Sequence, residues 1–257
     1  MYRFVLVMGI ALLFSTTAFA DDDSDSEGGY TAFGVRTAVS SSIDVTPKNS
    51  STTTDDGSFP GLTEIYYVVS DEQGYFKVDL SKSLTSYSKT SGTNKNQRDV
   101  LAFNLFGGGK FNPFFGLGAG FKCMSENNSW TYTTSSNYTT YRYGGMVGFF
   151  SDFFIDDNLV FNASLAPYGG FRYDSNDNSQ YTKYGTELGY LMEIGLKYTL
   201  AENIAATLSY KSDTYTLSNI DYEEDFKYSP SSPKDTRSRN TSTSTENAVM
   251  LGVEFRF

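Results

Sequence analysis

The sequence predicts an all-β protein that forms an antiparallel, up-and-down transmembrane β-barrel, with ten strands favoured and eight as the alternative. The first observation is the stretch 245–257, where apolar residues occupy every second position: Val249, Leu251, Val253, Phe255 and Phe257. A period of two is typical of a strand whose two faces meet different surroundings. The second observation is that the connections between such stretches alternate between long and short, as in barrels that cross a membrane.

The composition is the third observation. The chain contains 20 Tyr and 21 Phe, yet its mean hydropathy is only −0.37. Alternating strands produce this combination, because their apolar face is averaged with a polar one. After Ala20, no apolar run reaches the roughly 17–25 residues that a transmembrane helix needs. The pattern therefore favours a membrane protein that crosses the bilayer with strands.

The N-terminal residues 1–20 are predicted to be a secretory signal peptide. Arg3 supplies the basic region, residues 4–14 the apolar region, and residues 18–20 (Ala-Phe-Ala) a cleavage site. Residues 21–29 form an acidic, flexible lead. Its spacing resembles the start of a calcium loop, but position twelve is Gly34 and not the required Glu. We therefore interpret this segment as solvated and assign residues 30–257 to one barrel domain.

Ten strands are predicted in the barrel domain, each bounded by clusters of Gly, Asn, Asp, Ser or Thr. In chain order they cover about 30–45, 61–70, 75–88, 98–106, 111–124, 139–155, 159–173, 184–200, 204–217 and 245–257. The second strand has the weakest signal, which keeps eight strands as the alternative. The short connections include Gly107–Lys110, which the glycines favour as a turn. An even strand number places both termini at the periplasmic end.

Each strand is justified by an apolar face that we expect to point outward. For strands one to five this face is Phe33, Val35, Val39; Ile65, Tyr67, Val69; Phe76, Val78, Leu80, Leu84; Leu101, Phe103, Leu105; and Phe115, Leu117, Ala119, Phe121. For strands six to nine it is Tyr141, Tyr143, Val147, Phe149, Phe153; Phe161, Ala163, Leu165, Phe171; Leu188, Tyr190, Met192, Ile194, Leu196, Tyr198; and Ala206, Leu208, Tyr210.

The stretch 112–121 places a Pro-aromatic pair before alternating glycines and apolar residues. It resembles the start of a strand in small opacity-type outer-membrane proteins. Together with the signal peptide and the terminal Phe257, the chain resembles the broad opacity-like and porin-like superfamily of small bacterial barrels. Opacity proteins typically have eight strands, so the predicted number departs from that subfamily.

The resemblance has implications for location and assembly. It implies a monomer in the outer membrane of a Gram-negative-type bacterium, surrounded by outer-membrane lipid. It also implies that the barrel assembly machinery reads the closing strand, with Phe257, Phe255 and Val253 as the assembly signal. An extracellular ligand would be bound through the long loops, since binding usually resides on loops of a rigid scaffold.

The second face of each strand is expected to point into the lumen. It collects a charge network of nearly balanced sign: Arg36, Glu64, Lys77, Asp79, Lys122, Arg142, Asp152, Arg172, Glu187, Glu193, Lys197, Lys211, Glu246, Glu254 and Arg256, with Asn104 beside it. An Arg or Lys facing lipid near the midplane would cost roughly 2–4 kcal/mol. Two interpretations compete: a network that fills and rigidifies a narrow barrel, or the charged wall of a small pore.

Chemistry at a catalytic, cofactor or metal site is not expected. The chain contains no His, so it lacks both the usual base of a Ser–His pair and the commonest zinc ligand. This excludes the protease, lipid-hydrolase and acyltransferase types that membrane-barrel enzymes of this size resemble. The stretch 116–120 lacks the G-x-G-x-x-G spacing of a dinucleotide site. A net charge of −10 without basic patches makes nucleic acid an unsuitable partner.

The sequence therefore favours a non-enzymatic barrel that presents polar extracellular loops, with a surface, adhesin-like or structural role. The alternative is a narrow porin that passes small solutes or ions through its charged lumen. A soluble periplasmic β-sandwich is a third hypothesis, but it leaves the terminal Phe257 and the alternating connections unexplained.

Overall fold

A computed structural model describes the chain in the ranges 29–47, 54–57, 62–83, 87–91, 94–131, 135–156, 158–176, 181–224 and 242–257. The predicted signal peptide, most of the acidic lead (21–28) and the predicted outward residue Leu84 lie outside these ranges. No helix within them is long and apolar enough to span a membrane.

The described residues form twelve β-strands. In chain order they are β1 (Tyr30–Pro47), β2 (Thr54–Gly57), β3 (Leu62–Ser70), β4 (Gly74–Ser83), β5 (Tyr87–Ser91), β6 (Asn94–Lys110), β7 (Phe115–Thr131), β8 (Ser135–Phe154), β9 (Leu159–Asn176), β10 (Tyr181–Ala201), β11 (Ile204–Glu224) and β12 (Ser242–Arg256). Several run further toward the long connections than predicted, because the apolar alternation fades there while backbone pairing continues.

Ten of these strands form a closed barrel. Neighbours in the order β1, β3, β4, β6, β7, β8, β9, β10, β11, β12 pair antiparallel, and β12 pairs with β1 to complete the wall. The short strands β2 and β5 pair with β1 and β6. The prediction of a ten-stranded, antiparallel up-and-down barrel is confirmed. Closure also leaves the barrel wall without an open edge.

The register of the strand pairs sets the tilt and width of the barrel. Cross-strand partners followed once around the wall lead from Ala32 through Val68, Lys77, Phe106, Gly120, Met146, Tyr168, Gly189, Tyr215 and Ser244 back to β1 at Val45. One residue on this return path is a bulge, so the offset is about twelve residues. With standard strand spacings, that offset gives a tilt of about 40° and a radius of about 10 Å.

A β-bulge in β1 changes which residues face the lumen. The register against β12 shifts between Ala38 and Ser40, so Val39 is an extra residue in the strand. Before the bulge, Phe33 and Val35 point outward as predicted. After it the parity is reversed, because one inserted residue exchanges the two faces of a strand. Ile43 therefore lies inside the barrel and is 1% exposed.

The turn predicted at Gly107–Lys110 is wrong, because β6 continues through Lys110 and the chain reverses at residues 111–114. The Asn112 side-chain oxygen accepts hydrogen bonds from the backbone N–H groups of Phe114 and Phe115, both at 2.9 Å. The glycines instead allow close approach of β7. A Cβ on Gly108 would lie 2.1 Å from the backbone oxygen of Leu117.

The outer surface is apolar around the barrel. Large exposed side chains come from almost every wall strand, including Phe33, Leu101, Leu117, Phe149, Leu165, Leu188, Leu208 and Leu251. Contiguous exposure of this kind is unfavourable in water and is typical of a lipid-facing wall. Near the short turns, Phe153 packs against Phe115 and Phe161, with ring centroids 5.2 and 6.1 Å apart. These rings suit the aromatic girdle at a membrane interface.

Both ends of the described chain lie at the end of the barrel that carries the short turns, here called the short-turn end. The backbone N–H of Phe257 donates to the Thr31 oxygen at 2.9 Å, and that of Arg256 donates to Asn203 in the β10–β11 turn. The opposite end, here called the loop end, carries the long connections. In bacterial barrels the short turns are periplasmic and the long loops extracellular.

Candidate functional site

Among the residues that the structure describes, the barrel interior includes three main groups of charged side chains. The central group is built around Glu64 of β3, which is fully buried. Its carboxylate accepts hydrogen bonds from Arg36 at 2.9 and 2.5 Å and from Lys211 at 2.8 Å, and Ser81 donates to it at 3.1 Å. These hydrogen bonds and opposite charges offset the desolvation of the buried carboxylate.

Several ion pairs of the central group cross the lumen. Glu193 of β10 accepts two hydrogen bonds from Lys77 of β4, at 2.9 and 2.8 Å, and two from Arg36, at 2.7 and 3.0 Å. In the ten-strand wall, β4 and β10 are five positions apart and therefore face each other. Lys211 reaches Asp79 at 3.2 Å, while the Asn104 amide donates to Asp79 at 2.7 Å. These contacts tie opposite sides of the barrel together.

The second group lies nearer the loop end and is centred on Arg142 of β8. Its guanidinium forms a fork with the two oxygens of Glu187, at 2.8 and 2.6 Å, and contacts Glu246 at 3.5 Å. The same guanidinium carbon lies 3.6 Å from the centre of the Tyr215 ring. This is a cation–π arrangement, which adds to the attraction of the carboxylates.

Tyr168 links the second group to the opposite wall. Its hydroxyl donates to either Glu187 at 2.7 Å or Asp213 at 2.8 Å. Lys122 of β7 is bonded to Asp213 of β11, across four positions of the wall, and lies over the Tyr168 ring. Tyr168 thus contacts the carboxylates of both ion pairs.

The third group lies at the short-turn end. Lys197 contacts Glu254 at 2.8 Å and donates to the Tyr30 hydroxyl at 2.7 Å. Glu254 also accepts from the Tyr66 hydroxyl at 3.0 Å and from Arg256 at 3.3 Å. A neighbouring set joins Asp152 to Ser70 at 2.8 Å and to Lys110 at 3.9 Å.

The structure thus places the predicted network residues on the inner face of the wall. Arg172 is the least central of them: it is directly paired in register with Arg142 and is partly exposed. Sequence reasoning missed Lys110, because that residue was assigned to a turn. It also missed Asp213, although Asp213 shares the parity of Lys211 and that signal could have found it. The tyrosines Tyr30, Tyr66, Tyr168 and Tyr215 were missed because only charge was sought.

The network separates two cavities. The cavity on its short-turn side has about 300 Å³ of empty space and a polar lining that includes Tyr66, Asn162 and Thr207. The cavity toward the loop end has about 620 Å³. Within the described part of the chain, no group of three or more His, Cys, Asp or Glu side chains is arranged to hold a metal ion.

The residues of the predicted assembly signal lie on the lipid-facing side of β12 and at its end. Val253 and Phe255 are 39% and 45% exposed, and Phe257 is 83% exposed. All three remain accessible on the folded barrel surface.

A closed antiparallel wall, an apolar exterior and a charged interior define an integral outer-membrane β-barrel. No protein-family model matches the sequence, and no curated protein matches it. Solved structures do match. The outer-membrane protease OmpT from Escherichia coli aligns with a TM-score of 0.53 at 11% identity, covering 92% of this chain and 99% of that one.

Two further structures align with lower TM-scores. Ail, the attachment invasion locus protein of Yersinia pestis, gives 0.40 at 12% identity, over 90% of this chain and 100% of that one. The translocator domain of the autotransporter NalP from Neisseria meningitidis gives 0.42 at 10% identity, over 99% and 98%. The likeness to OmpT shows the fold. With the apolar exterior, that fold confirms the predicted location in the outer membrane and the small-barrel type.

Proposed function

We propose that this protein is a non-enzymatic outer-membrane barrel with a closed lumen, which presents its long loops at the cell surface in an adhesin-like or structural role. The observation that carries the proposal is the set of ion pairs that cross the lumen between facing strands, above all Lys77–Glu193. A side-chain bridge of this kind occupies the path that a solute would need.

The burial of the network supports a closed state. Arg36, Lys122 and Arg142 are each at most 4% exposed. Removing one partner of a buried ion pair typically costs about 3–5 kcal/mol, because the other charge is left uncompensated. Opening a pore would require several such pairs to break together. A closed lumen keeps all of them intact.

Two observations support a non-enzymatic role. The chain has no His, and the lumenal carboxylates Glu64, Glu193 and Asp213 are each bonded to cations, so none is free to act as a general base. OmpT is a protease, but the likeness at 11% identity concerns the fold. Activity in such barrels depends on the site and not on the wall.

The closed-lumen proposal is tested by reconstitution and by surface digestion. We expect purified protein in planar bilayers to give no stable single-channel steps. We expect trypsin added to intact cells to cut within residues 225–241, which contain Lys234, Arg237 and Arg239, while the barrel stays in the membrane. Stable steps in the unmodified protein would contradict the closed lumen. Resistance of intact cells, with cleavage only after lysis, would contradict the surface role.

A narrow porin is the second candidate function. It is favoured by the cavities of about 300 and 620 Å³ on the two sides of the network, since rearrangement of the bridging side chains alone would join them. The bilayer experiment separates the two candidates, because a porin gives ohmic steps whose size follows salt concentration.

We also propose that Phe257, with Phe255 and Val253, is read by the barrel assembly machinery. A Phe257→Ala variant should accumulate less folded barrel in cells, because the machinery loses its exposed aromatic contact. The same variant, refolded from urea into detergent micelles without the machinery, should match the unmodified protein, because Phe257 is 83% exposed. Heat-modifiable gel migration measures folding in both settings. An equal defect in both would indicate a role in barrel stability and not in recognition.

A further inference from the structure

The cavity toward the loop end, here called the loop-side pocket, has about 620 Å³ of empty space when the part that is open to solvent is included. Its lining includes six apolar side chains, Leu62, Val100, Ala102, Met124, Leu191 and Ala248, together with polar side chains such as Ser41, Ser81 and Asn247. Val100 and Met124 also form a buried cluster with Ile43, the residue turned inward by the β1 bulge. Leu62 and Ala102 pack against that cluster, so the apolar part of the lining belongs to a packed region of the barrel.

The charged groups at the base of the pocket are already paired. Lys211 is bonded to Glu64 and Asp79, and Lys122 to Asp213. Glu246 accepts a hydrogen bond from Tyr215 at 3.1 Å and contacts Arg142 at 3.5 Å. Because these cations and carboxylates neutralise one another, an ion entering the pocket would meet no unpaired charge among the four charged residues that the structure describes in its lining. The pocket therefore selects against charged ligands.

One polar atom of the pocket lining has no partner. The Asn104 amide nitrogen donates to Asp79 at 2.7 Å, but the Asn104 side-chain oxygen has no hydrogen-bond partner, and the residue is 5% exposed. A buried acceptor without a donor is unfavourable, because it has lost its hydrogen bonds to water and gained none in the protein. A ligand hydroxyl or N–H group would remove that cost, so the free oxygen specifies a donor at the polar end of a ligand.

We propose that the loop-side pocket binds an uncharged amphiphile, with a hydroxyl or amide donor directed to Asn104 and an aliphatic or aromatic body between Leu62, Met124 and Leu191. This inference goes beyond the proposed surface role and is independent of it, because the pocket lies on the loop side of the network whether or not the network conducts. The short-turn cavity differs: its unpartnered Asn162 oxygen and Thr207 hydroxyl lie among charged side chains, which suits water.

The test uses the protein in phosphatidylcholine nanodiscs with ¹³C-labelled methionine methyl groups, since detergent would itself compete for the pocket. The probe is 4-butylbenzyl alcohol. Its methyl ether is the comparison compound without a hydrogen-bond donor, and 4-butylbenzoate is the charged comparison compound. The Met124 methyl group reports on the pocket, and the outward-facing Met192 reports on partition into the lipid. We expect a saturable shift of Met124 with the alcohol, and no parallel shift of Met192.

Two variants locate the binding. Ala102→Phe fills the pocket and should abolish the Met124 shift, whereas Ala119→Phe, on the exposed outer face of β7, should leave it unchanged. Asn104→Leu should weaken the alcohol about tenfold and leave the methyl ether unchanged, because only the alcohol donates to that oxygen. If Ala102→Phe fails to fold, the Asn104→Leu comparison still decides.

Three results would overturn the proposal. A Met124 shift that rises linearly in parallel with Met192 would mean partition into the membrane only. If the benzoate bound as tightly as the alcohol, the paired charges at the base of the pocket would not select against charged ligands. If Asn104→Leu weakened binding of the alcohol and of the ether equally, a hydrogen bond from the alcohol to Asn104 would not explain the binding. Conductance is not used as a readout, so failure here is distinguishable from failure of the closed-lumen proposal.

Discussion

Replacing Glu193 by glutamine should destabilise the folded barrel by about 3–5 kcal/mol, the typical cost of leaving a buried charge unpaired. Glu193 is the carboxylate shared by Arg36 and Lys77, and the variant removes its charge while keeping its size. Lys77 then keeps a longer ionic contact of 3.8 Å with Glu64 and its position 5.3 Å from the centre of the Tyr66 ring. Urea titration of the protein in lipid vesicles, followed by circular dichroism, measures the free energy of unfolding.

Two controls separate the bridge from a general effect of losing a carboxylate. Glu72→Gln, in the exposed β3–β4 turn, should change stability by less than about 0.5 kcal/mol. The double variant Lys77→Met/Glu193→Met should recover most of the loss, because a buried pair replaced by apolar groups is often neutral. A Glu193→Gln variant as stable as Glu72→Gln would show that the lumen is hydrated well enough to screen these charges.

Gly148→Ala should prevent the barrel from closing correctly, with a destabilisation above about 3 kcal/mol, at the upper end of the cost of overpacking. A Cβ at this inward-facing position would lie 2.3 Å from the Leu165 oxygen and 2.5 Å from the Ala166 Cα of β9. Backbone atoms of a paired strand cannot rotate away, so β8 and β9 would have to separate. Heat-modifiable migration after refolding in vesicles measures the folded fraction.

Gly145 is the matched control in the same strand. It lies on the outward face, and a Cβ there would meet no atom within 4 Å. Gly145→Ala should therefore fold as the unmodified protein does, or gain a few tenths of a kcal/mol because alanine is less flexible in the unfolded chain. If the two alanine variants refold equally well, close approach of β8 and β9 is not what requires a glycine at position 148.

The prediction of the lumenal residues from sequence follows from the geometry of a strand. Side chains alternate between two faces, and a charge facing lipid is unfavourable, so parity alone assigns residues such as Glu64, Arg142 and Glu254 to the interior. The same reasoning fails where the parity is interrupted. Neither the bulge at Val39 nor the continuation of β6 through Gly107–Lys110 leaves a signal in the alternation, since both depend on pairing with another strand.

The sequence by itself determined the all-β class and, for most residues, the side of the wall that meets lipid or lumen, because these follow from a local period of two. It favoured ten strands over eight, and closure of the wall decided between them. Only the tertiary structure decided which charges meet. Lys77 and Glu193 are 116 residues apart in sequence and become partners through closure of β12 onto β1 and the offset of about twelve residues around the wall. The loop-side pocket depends on that same register, since it lies where the cross-lumen pairs end and the apolar cluster begins.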